Sequence, residues 1–221
     1  MPTNDPGGTQ PGRRERKKQQ TRRLLADTAR RLFVERGFDA VTIAEIAHAA
    51  DVSEPTVFNH FPRKEDLVFS GLEGYEDELL NAIRERPTGQ SIFDAFATFI
   101  RTPRGLLATG DENIATRLRE VSQMITDSPA LLAREQQIHA RYTASLTDLI
   151  AEETRASADD PRPAVTAAAL IGVHRTLIDH VRRHLLAGEN DVPALARNTS
   201  RVAKKALAHL EHGLGTYAPK R

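Results

Sequence analysis

The stretch Thr42–Phe61, TIAEIAHAADVSEPTVFNHF, runs directly into Pro62–Leu67, PRKEDL, and its reading decides the fold of the chain. Thr42 precedes an apolar run and Glu45 follows three residues later, the spacing at which each side chain satisfies an amide left open at a helix start. Ile43, Ile46 and Ala47 then recur at the spacing of one buried helical face, and Ala49 and Ala50 offer no bulk against a crossing partner. Asp51-Val52 leaves room for a turn only. Ser53 supplies a second N-cap before Glu54 and Pro55, and proline is tolerated there because first-turn amides have no intrahelical partner. A second helix from Glu54 to His60 must stop before Pro62, since the residue ahead of proline is pushed out of helical backbone. The pair is a helix-turn-helix. Val57 and Phe61 face inward, leaving Glu54, Thr56, Asn59 and His60 to project outward.

Upstream, Leu24, Leu25, Thr28, Ala29, Leu32 and Phe33 fall at helical spacing between Thr21 and Gly37, and Arg36-Gly37 reads as a basic last turn followed by a left-handed cap. That third helix braces the pair. With these parts in place, Thr21 to Glu73 resembles the DNA-binding domain of the tetracycline-repressor (TetR) family of bacterial regulators. The Glu35-Arg36-Gly37-Phe38 segment, the Thr42-x-x-Glu45 cap, the turn, the Ser53-x-Pro55-Thr56 start and the Phe61-Pro62-x-Lys64-Glu65 exit keep family spacing without a gap. Two positions depart from it. Asp51 stands where the turn usually has glycine, and aspartate tolerates left-handed backbone better than most residues. Phe58 stands where many members place a tyrosine that reaches a phosphate, and it lacks the hydroxyl. The resemblance puts Thr42 and Lys64 where family members hold the DNA backbone.

Net charge is +1 on 221 residues, but its distribution is uneven. Arg13, Arg14, Arg16, Lys17, Lys18, Arg22 and Arg23 have only Glu15 as a counter-charge among them, a run suited to neutralising phosphates. The organisation read from the sequence is a flexible basic arm over residues 1–20, a helix-turn-helix domain over 21–65 and a helical effector-binding and dimerisation domain over 66–221. Candidate DNA contacts are Arg22, Thr42, Ser53, Glu54, Thr56, Asn59, His60 and Lys64. Asn59 suits adenine, Glu54 a cytosine amino group, and Thr56 a thymine methyl or a phosphate.

An apolar fraction of 39% with 28% charged residues suits a soluble globular protein. No cysteine is present, which excludes a disulfide framework and a thiolate metal site. The N-terminus lacks the apolar core of a secretory signal and no apolar run approaches the ~20 residues that cross a bilayer, so a cytoplasmic protein with no membrane partner is expected.

From Arg63 onward the chain reads as helices separated by Pro, Gly and Asp punctuation: Lys64 to Arg86, Ser91 to Ile100, Asp111 to Thr126, Ala130 to Arg155, Pro163 to Ala187 and Val192 to Leu214. The fold class is all-α with nine helices. Leu170, Ile171, His174, Leu177, Ile178, Val181 and Leu185 form one stripe, and Leu195, Thr199, Val202, Ala206 and Leu210 another. These suit a four-helix homodimer interface, which the TetR resemblance also implies, although burial of both stripes inside one subunit satisfies the same pattern. A two-fold dimer presents two reading heads to a pseudo-palindromic double-stranded operator.

The resemblance further implies a one-component sensor, probed by a small molecule in the C-terminal domain, and repression by occupancy of an operator. Candidate ligand contacts are Phe96, Met124, Glu135, His139, Tyr142 and His174, with Phe93 and Phe99 beside Phe96 as further aromatic walls; each also fits plain core packing. A carboxylate, an imidazole and a ring on one helix face suit a flat, lipophilic and cationic effector. No Gly-x-Gly-x-x-Gly, phosphate loop, nucleophile elbow or His-Glu-x-x-His motif occurs, so no enzyme and no cofactor are expected. His180 and His184 have the spacing of a metal-binding pair, but Arg182 and Arg183 stand between them with no third ligand in sequence, and they read as surface histidines.

Overall fold

The computed structural model describes residues 12–72, 74–102 and 113–214, with side chains to Glu211. Among them are nine α-helices and no β-strand element: α1 (Arg13–Arg36), α2 (Ile43–Ala49), α3 (Glu54–His60), α4 (Tyr75–Arg84), α5 (Ile92–Arg101), α6 (Ile114–Asp127), α7 (Pro129–Thr154), α8 (Arg162–Leu186) and α9 (Val192–Leu214). The chain divides into two compact units after Ser70, slightly beyond the 65/66 division read from the sequence.

In the first unit, α2 and α3 are each seven residues long, too short to persist alone, and both are capped as their sequences require. The Thr42 hydroxyl accepts from the Glu45 amide at 3.2 Å while the Glu45 carboxylate accepts from the Thr42 amide at 2.8 Å. Ser53 Oγ accepts from the Thr56 amide at 3.3 Å. Asp51 adopts φ 53°, the left-handed turn expected of it. Leu25, Ala29 and Phe33 of α1 are buried with Ile46, Val57 and Phe61, which closes a small three-helix core.

α1 begins at Arg13 rather than at Thr21. Residues 13–20, read as part of a flexible arm, are helical and exposed: Arg, Glu, Lys and Gln are strong helix formers and neither Gly nor Pro interrupts them. Residues 1–11 of that arm lie outside the described residues. α1 ends where expected, with Gly37 at φ 84° and its amide donating to the Phe33 carbonyl at 2.8 Å.

The continuous helix expected from Lys64 to Arg86 is broken. A 3-10 turn spans Lys64–Leu67, and α4 starts only after Gly74, which takes φ 77°, a backbone region that ends helices and that glycine enters freely. In the second unit α7 and α8 run antiparallel, and α8 also packs on α6 and α9. Arg86 is almost fully buried at the α4–α5 connection, yet its guanidinium donates to the Ile83 carbonyl at 2.6 Å, to the Gln90 carbonyl at 3.0 Å and to Glu153 of α7 at 2.6 Å. A buried charge is tolerable only when paired in this way. No helix among the described residues is long and apolar enough to cross a membrane.

Because Asp51 holds left-handed backbone, a β-branched residue there is strained. Asp51→Val is expected to lower the stability of the first unit by about 1–2 kcal/mol in urea denaturation followed by circular dichroism, with the unfolding of the second unit unchanged.

Candidate nucleic-acid interface and effector cluster

The outward face of α3 carries Glu54, Phe58 and Asn59, all exposed, and among the described residues no hydrogen bond engages the Asn59 amide or the Glu54 carboxylate. Ser53 and Thr56 are less available than sequence reasoning expected, because their hydroxyls lie 2.8 Å apart and share a hydrogen bond at the helix start. Phe58, set aside for its missing hydroxyl, presents a ring that is 47% exposed beside Asn59. A large apolar residue at an outward position of a capped helix was the available signal.

His60 and Arg22 are coupled. The Arg22 guanidinium donates to the His60 carbonyl at the end of α3 and lies 3.9 Å over the Phe61 ring. The His60 imidazole is half-buried with an enclosed Nδ1, and burial, then the positive charges of Arg22 and Lys18, hold it below its ordinary pKa. Arg22 therefore joins α1 to the end of α3 and shares a cationic edge with Lys18. Lys64 is held over the Phe38 ring at 4.3 Å and near Phe33 at 5.8 Å, and burial lowers its pKa. The exposed Thr42 hydroxyl donates to Glu45 at 2.9 Å, and Arg36 donates to the same carboxylate at 2.8 Å.

In the second unit the structure brings His139, Tyr142 and His174 together, sets Phe99 of the expected aromatic walls beside them, and adds one residue that sequence reasoning missed, Tyr75. Tyr75 Oη lies 2.8 Å from His174 Nδ1, its ring stacks on Tyr142 at 5.7 Å, and Phe99 meets it edge-on at 5.3 Å. The His139 and His174 rings are 5.8 Å apart. Tyr75 sits at the first position of α4, and no local spacing connects it with residues of α7 and α8. Burial, with His139 as a smaller contributor, pushes His174 down to about 3, while burial lowers His139 and raises Tyr142. All these groups are uncharged at neutral pH.

Glu135 departs from the expected role. Its carboxylate is paired with Arg182 of α8, both side chains being about 15% exposed, so it is not a free anion awaiting a cation. Phe96 is fully enclosed and Met124 is 9% exposed, both core positions, and Phe96 makes no ring contact with the cluster among the described residues.

Of the expected dimer stripes, Leu170, Ile171, His174, Leu177, Leu185 and Leu195 are buried within the subunit, while Ile178, Val181, Thr199, Val202, Ala206 and Leu210 are only partly covered. The apolar surface that α8 leaves open lies on another face, Val165 at 63% exposure with Ala168, Gly172 and Thr176 at helical spacing. The buried residues of the α8 stripe pack within the subunit, where α8 meets α6, α7 and α9.

Against known proteins, residues 25–70 match the family model for bacterial regulatory proteins of the tetR family, and residues 97–208 match the MftR C-terminal domain. The chain belongs to the TetR family. It is 28% identical over 84% of its length, and 82% of the relative's, to the HTH-type transcriptional regulator TcmR of Streptomyces glaucescens. It is likewise 28% identical over 62% of its length, and 67% of the relative's, to the HTH-type transcriptional repressor Rv1474c of Mycobacterium tuberculosis. Among solved structures, Salmonella enterica GusR superposes with a TM-score of 0.51 at 20% identity, covering 89% of this chain and 96% of that one, a likeness of fold. The TetR-family chain is thus a DNA-binding transcriptional regulator.

Two outcomes follow from this geometry. The Glu45 carboxylate, bonded first by the Thr42 amide and then by Arg36 and the Thr42 hydroxyl, is lowered from 4.5 to about 2. A depressed carboxylate stabilises fully above its unfolded value and loses that contribution as pH falls through the folded one. Acid unfolding of the first unit between 4.5 and about 2 is therefore expected to be less steep in Glu45→Gln than in the parent chain. Separately, Tyr75→Phe strips the hydroxyl from buried His174 and is expected to cost about 1–3 kcal/mol in thermal unfolding of the second unit.

Proposed function

We propose that this TetR-family regulator is a repressor that binds a pseudo-palindromic operator as a homodimer, works in the cytoplasm, catalyses no reaction, and is released by a small lipophilic effector. The single observation that carries the DNA reading is α3, a doubly capped helix whose exposed face offers an unengaged amide, a carboxylate and an aromatic ring beside the cationic edge of Lys18 and Arg22. An α-helix fits the major groove of B-form DNA, where an amide reads adenine and a carboxylate accepts from cytosine. Phe58 adds an apolar surface for a thymine methyl. Thr42 and Lys64 are proposed backbone contacts; Arg22 acts at least in part by setting the end of α3, and Ser53 by capping its start.

The name of the Mycobacterium tuberculosis relative supports repression. The dimer is assigned to the partly covered residues of the two stripes, Ile178 and Val181 of α8 with Thr199, Val202, Ala206 and Leu210 of α9, and the exposed Val165 and Ala168 extend the apolar surface of α8. The effector site is assigned to the uncharged cluster of Tyr75, Phe99, His139, Tyr142 and His174. Stacked rings and neutral imidazoles suit a flat molecule with hydrogen-bonding edges. With Glu135 neutralised by Arg182, positive charge on that molecule has only the ring faces to favour it. Tyr75 opens α4 a few residues after the division between the units, so an occupant that displaces its hydroxyl from His174 acts on the segment that leads from the head.

Operator binding measured over a series of salt concentrations separates the roles. Asn59→Ala is expected to relax base preference at one position of each half-site, worth about 1–3 kcal/mol of discrimination. Lys64→Ala should weaken operator and random duplex equally and reduce the salt slope by about 1. Loss of preference in the Lys64 variant with none in the Asn59 variant would reverse the assignment.

A further inference from the structure

A second group of polar side chains lies outside both sites, where the last turns of α8 face α9. We propose that His180 and His184 form a binding site for a first-row divalent cation of the zinc, copper or nickel type, with Asn198 of α9 as a third protein contact. The two imidazoles are four residues apart on α8 and their ring centroids are 4.1 Å apart, close enough for one ion to bridge them. His180 is only 8% exposed, and its Nε2 is enclosed with no hydrogen-bond partner. A buried imidazole nitrogen left in that state is costly, and a bound cation removes the cost.

His184 is oriented by its neighbours in the way that prepares a ligand. Its Nδ1 lies 2.9 Å from the His180 carbonyl oxygen, which can only accept, so Nδ1 carries the proton and Nε2 presents a lone pair. The Asn198 amide lies 3.5 Å from that Nε2. With no ion its NH2 faces the lone pair, and a half-turn of the amide exchanges this for the carbonyl oxygen, a metal ligand.

The arginines that stand between the two histidines in sequence are directed elsewhere. Arg182 pairs with Glu135 of α7, with Asp179 at 3.6 Å, and the Arg183 Nε donates to the Asp179 carbonyl at 3.3 Å. Neutral imidazole nitrogens select zinc, copper and nickel over magnesium and calcium. Among the described residues no group of three or more His, Cys, Asp or Glu is poised to hold a metal, so solvent completes the shell and the ion exchanges readily, unlike the closed four-ligand structural sites. Occupancy would tie α8 to α9 through Asn198.

The site is tested without DNA, which keeps it separate from the operator reading. The full-length chain, without a histidine tag and stripped with EDTA, is titrated calorimetrically with ZnCl2 and with CuCl2, and the copper form is examined by electron paramagnetic resonance. One equivalent per chain is expected, with hyperfine coupling to two imidazole nitrogens. His184→Gln should weaken binding by about 10-fold or more, while exposed His48→Gln and His209→Gln leave it unchanged. His184 is only partly covered, so this variant should retain the thermal unfolding profile of the parent chain even if His180→Gln does not. Equal affinity in the parent and His184→Gln, loss of the equivalent in the His48 or His209 variants, or no binding up to about 1 mM cation would overturn the proposal.

Discussion

The head of this molecule depends on a constraint of length. A seven-residue helix cannot repay its own nucleation, so α2 and α3 exist only because both ends and one face of each are occupied. Thr42 and Glu45 close the start of α2, Ser53 and Pro55 that of α3, and Val57 and Phe61 bury the inner face against Leu25 and Phe33 of α1. Arg36 reaches from the last turn of α1 to the Glu45 carboxylate, and Arg22 from its middle to the last carbonyl of α3. The outward residues of α3 are thus held on a rigid support, which reading a groove by individual hydrogen bonds demands.

In the second unit burial and charge are reconciled by pairing. Arg86 with Glu153, and Arg182 with Glu135, are largely withdrawn from water yet bonded at the guanidinium. Beside the second pair, imidazoles and phenols are packed together in uncharged form, because enclosure opposes protonation of the histidines and ionisation of the tyrosine. The cluster thus offers ring faces and hydrogen-bonding edges without formal charge. Near the end of α8, by contrast, enclosure leaves the His180 Nε2 without a hydrogen-bond partner beside the His184 ring, the geometry behind the proposed cation site.

Much of the head was legible residue by residue. Capping chemistry is local, so Thr42, Glu45, Ser53 and Pro55 could be placed from spacing alone, and a turn at Asp51-Val52 followed from the lack of room between two caps, while its left-handed backbone was implied by the glycine usual there in the TetR family. Helix ends in the second unit were near their punctuation for the same reason. The break between Lys64 and Tyr75 was missed because glycine at 74 permits a reversal without announcing it, and the helical start at Arg13 because a run of charges reads as solvated whether or not it is helical.

By itself, then, the sequence determined an all-α chain with a capped helix-turn-helix head, since those features rest on interactions between residues a few positions apart. Only the tertiary structure decided which apolar stripe of α8 is spent inside the subunit, that Arg182 neutralises Glu135, and that Tyr75 joins His174 ninety-nine positions away. These depend on which helices become neighbours, and a stripe or a lone carboxylate looks the same in sequence whichever partner covers it.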